Sequence, residues 1–259
     1  MHDGGFMKII KYKKNKSNKY DLYLDNGDVL KLYDDTIIYF NLLIRKEIED
    51  VEEIDKYNRY IEAYYKSIKY LNKKMRTTLE IRKYLDDYPR LTIDMVIERL
   101  LKEGYLNDDY YLKMFISNQM AITSYGPNKI VRKLMELGFD KESILNELNE
   151  YNKDVFLEKL DKIIEKKIRT NYKYSSNKLR EKLIVDMYDY GYDKKDIIDC
   201  LNNKEIKVSS NIIEKEYKKV YKMLVKKYEG YELERRIMAK LLAKGFSYEE
   251  IKNAIKNVS

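Results

Sequence analysis

Lys129, Lys182 and Arg236 each stand nine residues before a glycine that is followed by an aromatic residue: Gly138-Phe139, Gly191-Tyr192 and Gly245-Phe246. A cation repeated in register suits phosphates spaced along a nucleic-acid strand, or acidic side chains spaced along a protein polymer. Arg132, Lys133, Lys178, Arg180, Arg235 and Lys240 lie close by and extend the candidate contact set. An ordinary solvated helix face has the same composition, and the sequence leaves both readings open. A further basic run, from Lys215 to Lys227, interleaves with Tyr217, Tyr221 and Tyr228. Tyrosine faces can stack on single-stranded bases, or simply turn toward a core beside solvated lysines.

Catalytic chemistry finds little to work with. The chain has one histidine, His2, and one cysteine, Cys200. That removes histidine-based triads, an internal disulfide and cysteine-cluster metal sites. No glycine-rich turn carries Gly-Lys-Ser/Thr, so no phosphate-binding loop is expected. The acidic pairs Asp86-Asp87 and Asp108-Asp109 fall at helix ends, where capping explains them. Cys200 lies on the apolar side of a short helix and reads as a small hydrophobe. The expectation is a protein that is not an enzyme, with no metal and no cofactor.

The elements that carry the cations follow from an internal repeat. Gly138, Gly191 and Gly245 are spaced by 53 and 54 residues. Eight positions before them stand Ile130, Leu183 and Ile237, and four before stand Leu134, Met187 and Leu241. Three before stand Met135, Tyr188 and Leu242; six after stand Ile144, Ile197 and Ile251; ten after stand Leu148, Leu201 and Ile255. Offsets of three and four mark helical faces, and all these positions are expected in a core. Each glycine ends one helix in a left-handed cap, and a second short helix begins at an acceptor such as Asp140, Asp193 or Ser247. A longer helix precedes each pair, over about 107–122, 153–170 and 209–228.

Val96, Ile97 and Leu100 repeat the second-helix spacing after a leading helix at 51–74, with Tyr88-Pro89-Arg90 in place of the glycine junction. The fold expected is mainly all-α: three-helix repeats at 51–106, 107–152, 153–206 and 207–259, stacked into an elongated, curved array. Residues 1–50 form a separate extension. Asn26-Gly27 between alternating segments at 20–24 and 29–33 predicts a β-hairpin, with residues 7–13 as an added strand. Thr36 to Glu47 reads as a helix with Ile37, Phe40, Leu43 and Ile44 on its face.

Composition sets the bounds. Hydrophobic residues make up 44% and charged residues 37%, with two prolines and nine glycines, which favours amphipathic helices. The net charge of +8 favours nucleic acid or acidic partners. The 27 tyrosines carry no functional weight by number alone. No apolar run reaches the roughly 18–20 residues of a membrane span, and no secretory signal is visible, so a cytoplasmic protein is expected; a monomer is expected as well. The opening residues 1–6 can be an appended segment ahead of a start at Met7.

The stretch from Met75-Arg76-Thr77-Thr78 through Ile81-Arg82-Lys83-Tyr84-Leu85, then Val96 to Asp108 with its Gly104-Tyr105-Leu106-Asn107-Asp108 run, resembles the first module of RecX proteins. Tyr110-Tyr111 to Phe115, followed by Gly126-Pro127-Asn128-Lys129-Ile130 to Gly138-Phe139, resembles the second. The similarity covers about 70–257, and residues 1–50 match longer versions of the family. Departures are Leu112, where a small alanine is usual, and Tyr88-Pro89 at the first junction. The resemblance implies a regulator of the RecA recombinase in DNA repair, homologous recombination and the SOS response. Such proteins lie in the groove of the RecA–DNA filament and restrain strand exchange and RecA's ATP hydrolysis; some bind single- or double-stranded DNA directly. A DNA-binding helical-repeat protein acting without RecA is the alternative.

Overall fold

The computed structural model describes residues 6–15, 18–206 and 210–258. His2, the segment up to residue 5 and the expected helix start at 209 lie outside the described residues. The chain divides into two compact units, Met1–Tyr111 and Leu112–Ser259.

The first unit opens with β1 (Met7–Lys14), β2 (Lys19–Leu24) and β3 (Val29–Tyr33), which with β4 (Glu47–Ile48) form an antiparallel sheet of order β3-β2-β1-β4. The expected hairpin is present. Gly27 has φ of 90°, and the Asn26 side chain accepts from the Asp28 amide at 3.0 Å. Leu22 pairs with Leu30 and Tyr20 with Leu32, which puts one apolar face inward.

The single helix expected over 36–47 is corrected. It breaks into α1 (Asp34–Tyr39) and α2 (Leu42–Arg45), with Asn41 and Lys46 in left-handed conformation. The sheet is the cause. Ile9 donates its amide to the Lys46 carbonyl at 2.8 Å, and Glu47–Ile48 become β4 on the edge of β1. Leu42 is buried instead of Leu43 and Ile44, which stay exposed. Ile54 from α3 (Val51–Leu71) closes this core. Asn58 ties α3 to β3, accepting from the Tyr33 amide at 2.9 Å and donating to the Lys31 carbonyl at 3.1 Å. A lone hairpin is marginal in water, and this helix supplies what it lacks. α4 (Thr78–Tyr84), headed by a Thr77/Glu80 capping box, and α5 (Arg90–Lys102) complete the unit around Ala63, Ile81, Val96 and Leu100.

α6 (Asp108–Ile122) leads into the second unit, where the helices continue in threes. The second triplet is α6 with α7 (Pro127–Glu136) and α8 (Lys141–Asn149). The third is α9 (Lys153–Arg169), α10 (Ser176–Asp189) and α11 (Lys194–Asn202). The fourth is α12 (Ser210–Leu224), α13 (Gly230–Ala243) and α14 (Tyr248–Val258).

The glycine turns are built alike. Gly138, Gly191 and Gly245 have φ of 98°, 90° and 84°. In each, the aromatic amide reaches back six residues' span: Phe139 to the Leu134 carbonyl, Tyr192 to Met187 and Phe246 to Leu241, at 3.1–3.2 Å. This is the Schellman arrangement, and it satisfies carbonyls that a helix end otherwise leaves unpaired. Residues eight and four before each glycine are buried, as are Ile144, Ile197 and Ile251 after them. Met135, Tyr188 and Leu242, three before each glycine, are instead exposed, which corrects the expectation that they are core. They lie about 100° around the helix from their buried neighbours.

The second and third triplets share one core, running from Leu112 and Ile116 through Leu160 and Ile164 to Ile197 and Leu201. The fourth has its own, with Ile212, Val220, Ile237 and Ile251.

Candidate functional site

The cations sit on the middle helix of each triplet, and two of those helices start in the same unusual way. At its second residue, α7 donates the Asn128 amide to the Gly191 carbonyl at 3.1 Å. At its second residue, α10 donates the Asn177 amide to the Gly245 carbonyl at 3.3 Å. The orphan amides at a helix start are thus used to seize the turn glycine of the following triplet. Further bonds lock each junction. Gly126 donates to the Tyr190 carbonyl at 2.7 Å and the Asn128 side chain to Asp193 at 2.9 Å. Ser175 donates to the Lys244 carbonyl and Ser176 to Glu250, both at 2.9 Å. Asp193 therefore serves the junction and makes no side-chain cap on α11, whereas Asp140 and Ser247 cap α8 and α14 as the sequence suggested.

This interlock resets the register of the cations. From its second residue to its turn glycine, α7 spans ten residues and α10 fourteen, a difference of about one turn. Lys129, the third residue of α7, is therefore equivalent through the junction to Lys178, the third residue of α10, and not to Lys182. Counting from the glycines could not reveal this, because the helices differ in length at their far ends.

Tyrosines were the signal that counting residue types missed. Tyr125, Tyr174 and Tyr228 each directly precede the N-cap residue of a middle helix, Gly126, Ser175 or Glu229. Each packs on its core, five residues ahead of a buried Ile130, Leu179 or Leu233, the spacing of a hydrophobic staple. Two of these rings also seat cations from their own middle helix. Lys129 Nζ lies 4.4 Å from the Tyr125 ring centre and 5.6 Å from that of Tyr190, and Lys133 Nζ lies 5.0 Å from Tyr125. The Arg236 guanidinium lies 4.1 Å from the Tyr228 ring. Such contacts are worth about 0.5–1 kcal/mol at an exposed site and leave the charge available to an anion.

The remaining candidates separate by partner. Arg180 is taken up inside the fold, donating to the Leu201 carbonyl at 3.1 Å and to the Asn202 side chain at the end of α11. Arg235 and Arg236 share Glu232, at 2.9 and 2.7 Å. Lys182 pairs with Asp186 at 3.1 Å, as does Lys167. Arg132, Lys178 and Lys240 are exposed and have no ion-pair partner among the described residues.

Asp186 makes the Lys182 site acid-sensitive. Burial pushes its carboxyl up, but the bonds from Lys182 and Lys167 outweigh this and hold it below the ordinary aspartate range. The corresponding stability is present above the unfolded value of about 3.9 and is lost as pH falls through the lower folded value. Urea unfolding from about pH 5 to about pH 2 should therefore show a shallower acid loss for Asp186→Asn than for the wild type. Parallel curves would mean that the carboxylate contributes nothing.

The other polar clusters are structural. Asp108 accepts from the Thr78 amide at 2.9 Å, so it caps α4. Burial, followed by the nearby Asp161 carboxylate, pushes the Cys200 thiol up to about 12, and the thiol donates to Asp161 at 3.2 Å. A thiol held protonated is a poor nucleophile. Among the described residues no group of three or more histidine, cysteine or acidic side chains is arranged to hold a metal ion. No described helix is long and apolar enough to cross a membrane.

Comparison with known proteins bears on both the fold and the repeat. A family model described as the third three-helix domain of RecX matches residues 211–255, which contain most of the fourth triplet. Regulatory protein RecX of Streptococcus agalactiae serotype III is 32% identical over 259 residues, covering 96% of this chain and 99% of that protein. Regulatory protein RecX of Lactococcus lactis subsp. lactis is 31% identical over 244 residues, covering 90% of each. A crystal structure of regulatory protein RecX superposes with a TM-score of 0.62 over 76% of this chain and 100% of its own, at 21% identity, a likeness of fold.

Proposed function

The chain belongs to the RecX family of regulatory proteins, and on that premise we propose that it binds the RecA filament on DNA and restrains strand exchange and RecA's ATP hydrolysis. The observation that carries this reading is the repeated junction, which gives Lys129 and Lys178 the same backbone position on successive triplets. A regularly repeated contact suits a partner that is itself a polymer, because weak contacts to successive subunits add through effective concentration. The chain acts by occupancy and not by turnover, as a monomer in the cytoplasm. Titrating it into RecA strand-exchange and DNA-dependent ATPase assays should lower both in proportion to its ratio to RecA. Rates unchanged across all ratios would end the reading.

The exposed, unpaired cations supply the charge attraction in this scheme. Arg132→Glu, Lys178→Glu and Lys240→Glu together should lower the salt slope of binding to RecA-coated DNA by about 2–3, at roughly 0.7–0.9 for each phosphate no longer neutralised. Cations seated on tyrosine rings favour a second reading, direct DNA binding without RecA. Equal affinity of the wild type for naked and RecA-coated DNA, with the same steep salt slope, would select it.

A further inference from the structure

We propose that Met135, Tyr188 and Leu242 form a row of apolar contacts to a protein polymer, on a different flank of the same helices from the repeated cations Lys129, Lys182 and Arg236. The proposal rests on the filament-binding reading above and names the side chains that would touch protein and not nucleic acid.

The three residues hold one repeat position, three before the turn glycine. Their exposures are 49%, 62% and 45%, while Leu134, Met187 and Leu241 immediately before them are fully buried. The fold therefore gives this position no core to fill. An isolated exposed apolar residue is ordinary, but a large one at the same place in three successive triplets is a pattern that packing does not require.

The surroundings choose the partner. Residues three and nine before the glycine are six apart, so they point about 120° away from each other around the axis. The shared cations Lys129, Lys182 and Arg236 therefore face away from this flank. Beside Tyr188, one turn back, stand Ile184 and Val185; beside Leu242 stand Met238 and Ala239. Arg132, beside Met135, and Arg235, two turns back from Leu242, are the exceptions. A flank with more apolar than basic side chains offers less to a phosphate backbone and suits apolar sockets on protein.

The junctions give the row its period. The Tyr188 carbonyl accepts from the Gly191 amide and the Leu242 carbonyl from the Gly245 amide, both at 2.8 Å. Each of these turns is the one gripped by the preceding triplet, at Asn128 and Asn177 respectively. Tyr188 and Leu242 thus stand in the same relation to successive junctions. A partner that meets one side chain through a given surface can meet the other through an identical surface on its next subunit.

The test uses the full chain with Met135→Ser, Tyr188→Ser and Leu242→Ser, singly and together, against RecA-coated single-stranded DNA and against the bare strand. Each single change should weaken filament binding by roughly fivefold and the triple change by on the order of a hundredfold. Bare-strand affinity and the midpoint of thermal unfolding should not move. Leu242→Met should retain wild-type binding, since it keeps apolar volume. Full filament affinity in the triple variant, with wild type that binds, overturns the proposal alone. An equal loss on the bare strand also overturns it, because the row then meets nucleic acid. A wild type that does not bind the filament overturns both the proposal and the reading beneath it.

Discussion

Gly191→Ala is expected to cost about 2–5 kcal/mol of unfolding free energy, from a left-handed backbone of about 1–2 and an overpacked junction of about 1–3. The residue combines both problems. Its φ is 90°, and an added Cβ would lie 2.3 Å from the Lys129 amide nitrogen and 2.9 Å from its Cα. Those are backbone atoms at the start of α7 and cannot swing aside. The other turn glycines separate the terms. At Gly245, with φ of 84°, the nearest atom to a Cβ is the Ser175 Oγ at 2.8 Å, a side chain that can rotate. At Gly104, with φ of 78°, a Cβ meets nothing within 4 Å. The expected order of damage is therefore Gly191 above Gly245 above Gly104, with Gly104→Ala losing only the backbone term of about 1–2 kcal/mol. Gly126→Ala isolates the steric term. Its φ is −81°, ordinary for any residue, yet its Cβ would lie 2.6 Å from the Gly191 carbonyl carbon and oxygen. Urea unfolding of the four variants measures the series. Equal losses at Gly191 and Gly104 would mean that the interlock adds nothing to stability.

Leu160→Ala should destabilise the chain by about 2–5 kcal/mol and do so across two triplets at once. Leu160 is fully buried on α9 of the third triplet, in a core that also contains Ile130 and Leu134 of the second. A cavity there thins one continuous cluster, and packed interiors do not refill such a void. Hydrogen exchange should therefore accelerate together in α7 and α10. The fourth triplet packs around its own cluster, and the amides of α13 should keep more of their protection. Acceleration confined to α9–α11 would show that the second and third triplets are separate cooperative units despite their shared core.

Much of the helical plan is legible in the sequence because it depends on local terms. The apolar offsets, the glycine caps and the Asn26-Gly27 turn concern residues a few positions apart. Left-handed φ at Gly138, Gly191 and Gly245 is a cost that only glycine avoids, so the composition itself announces the helix ends. The break at Asn41 was not legible. Thr36 to Glu47 has a helical pattern, and the competing strand pairing comes from Met7 and Lys8, far away in the chain.

The candidate contacts divide in the same way. Residue order alone shows that cations recur on one helix of each triplet, and that an apolar residue recurs three positions before each glycine. Three further facts depend on how the helices pack: Arg180 is spent on the end of α11, Lys178 is the counterpart of Lys129, and Met135, Tyr188 and Leu242 face solvent. The reason is physical. Periodicity reports which residues share a helix face, but whether that face meets a neighbour or water depends on which elements pack against it, and no single helix carries that information.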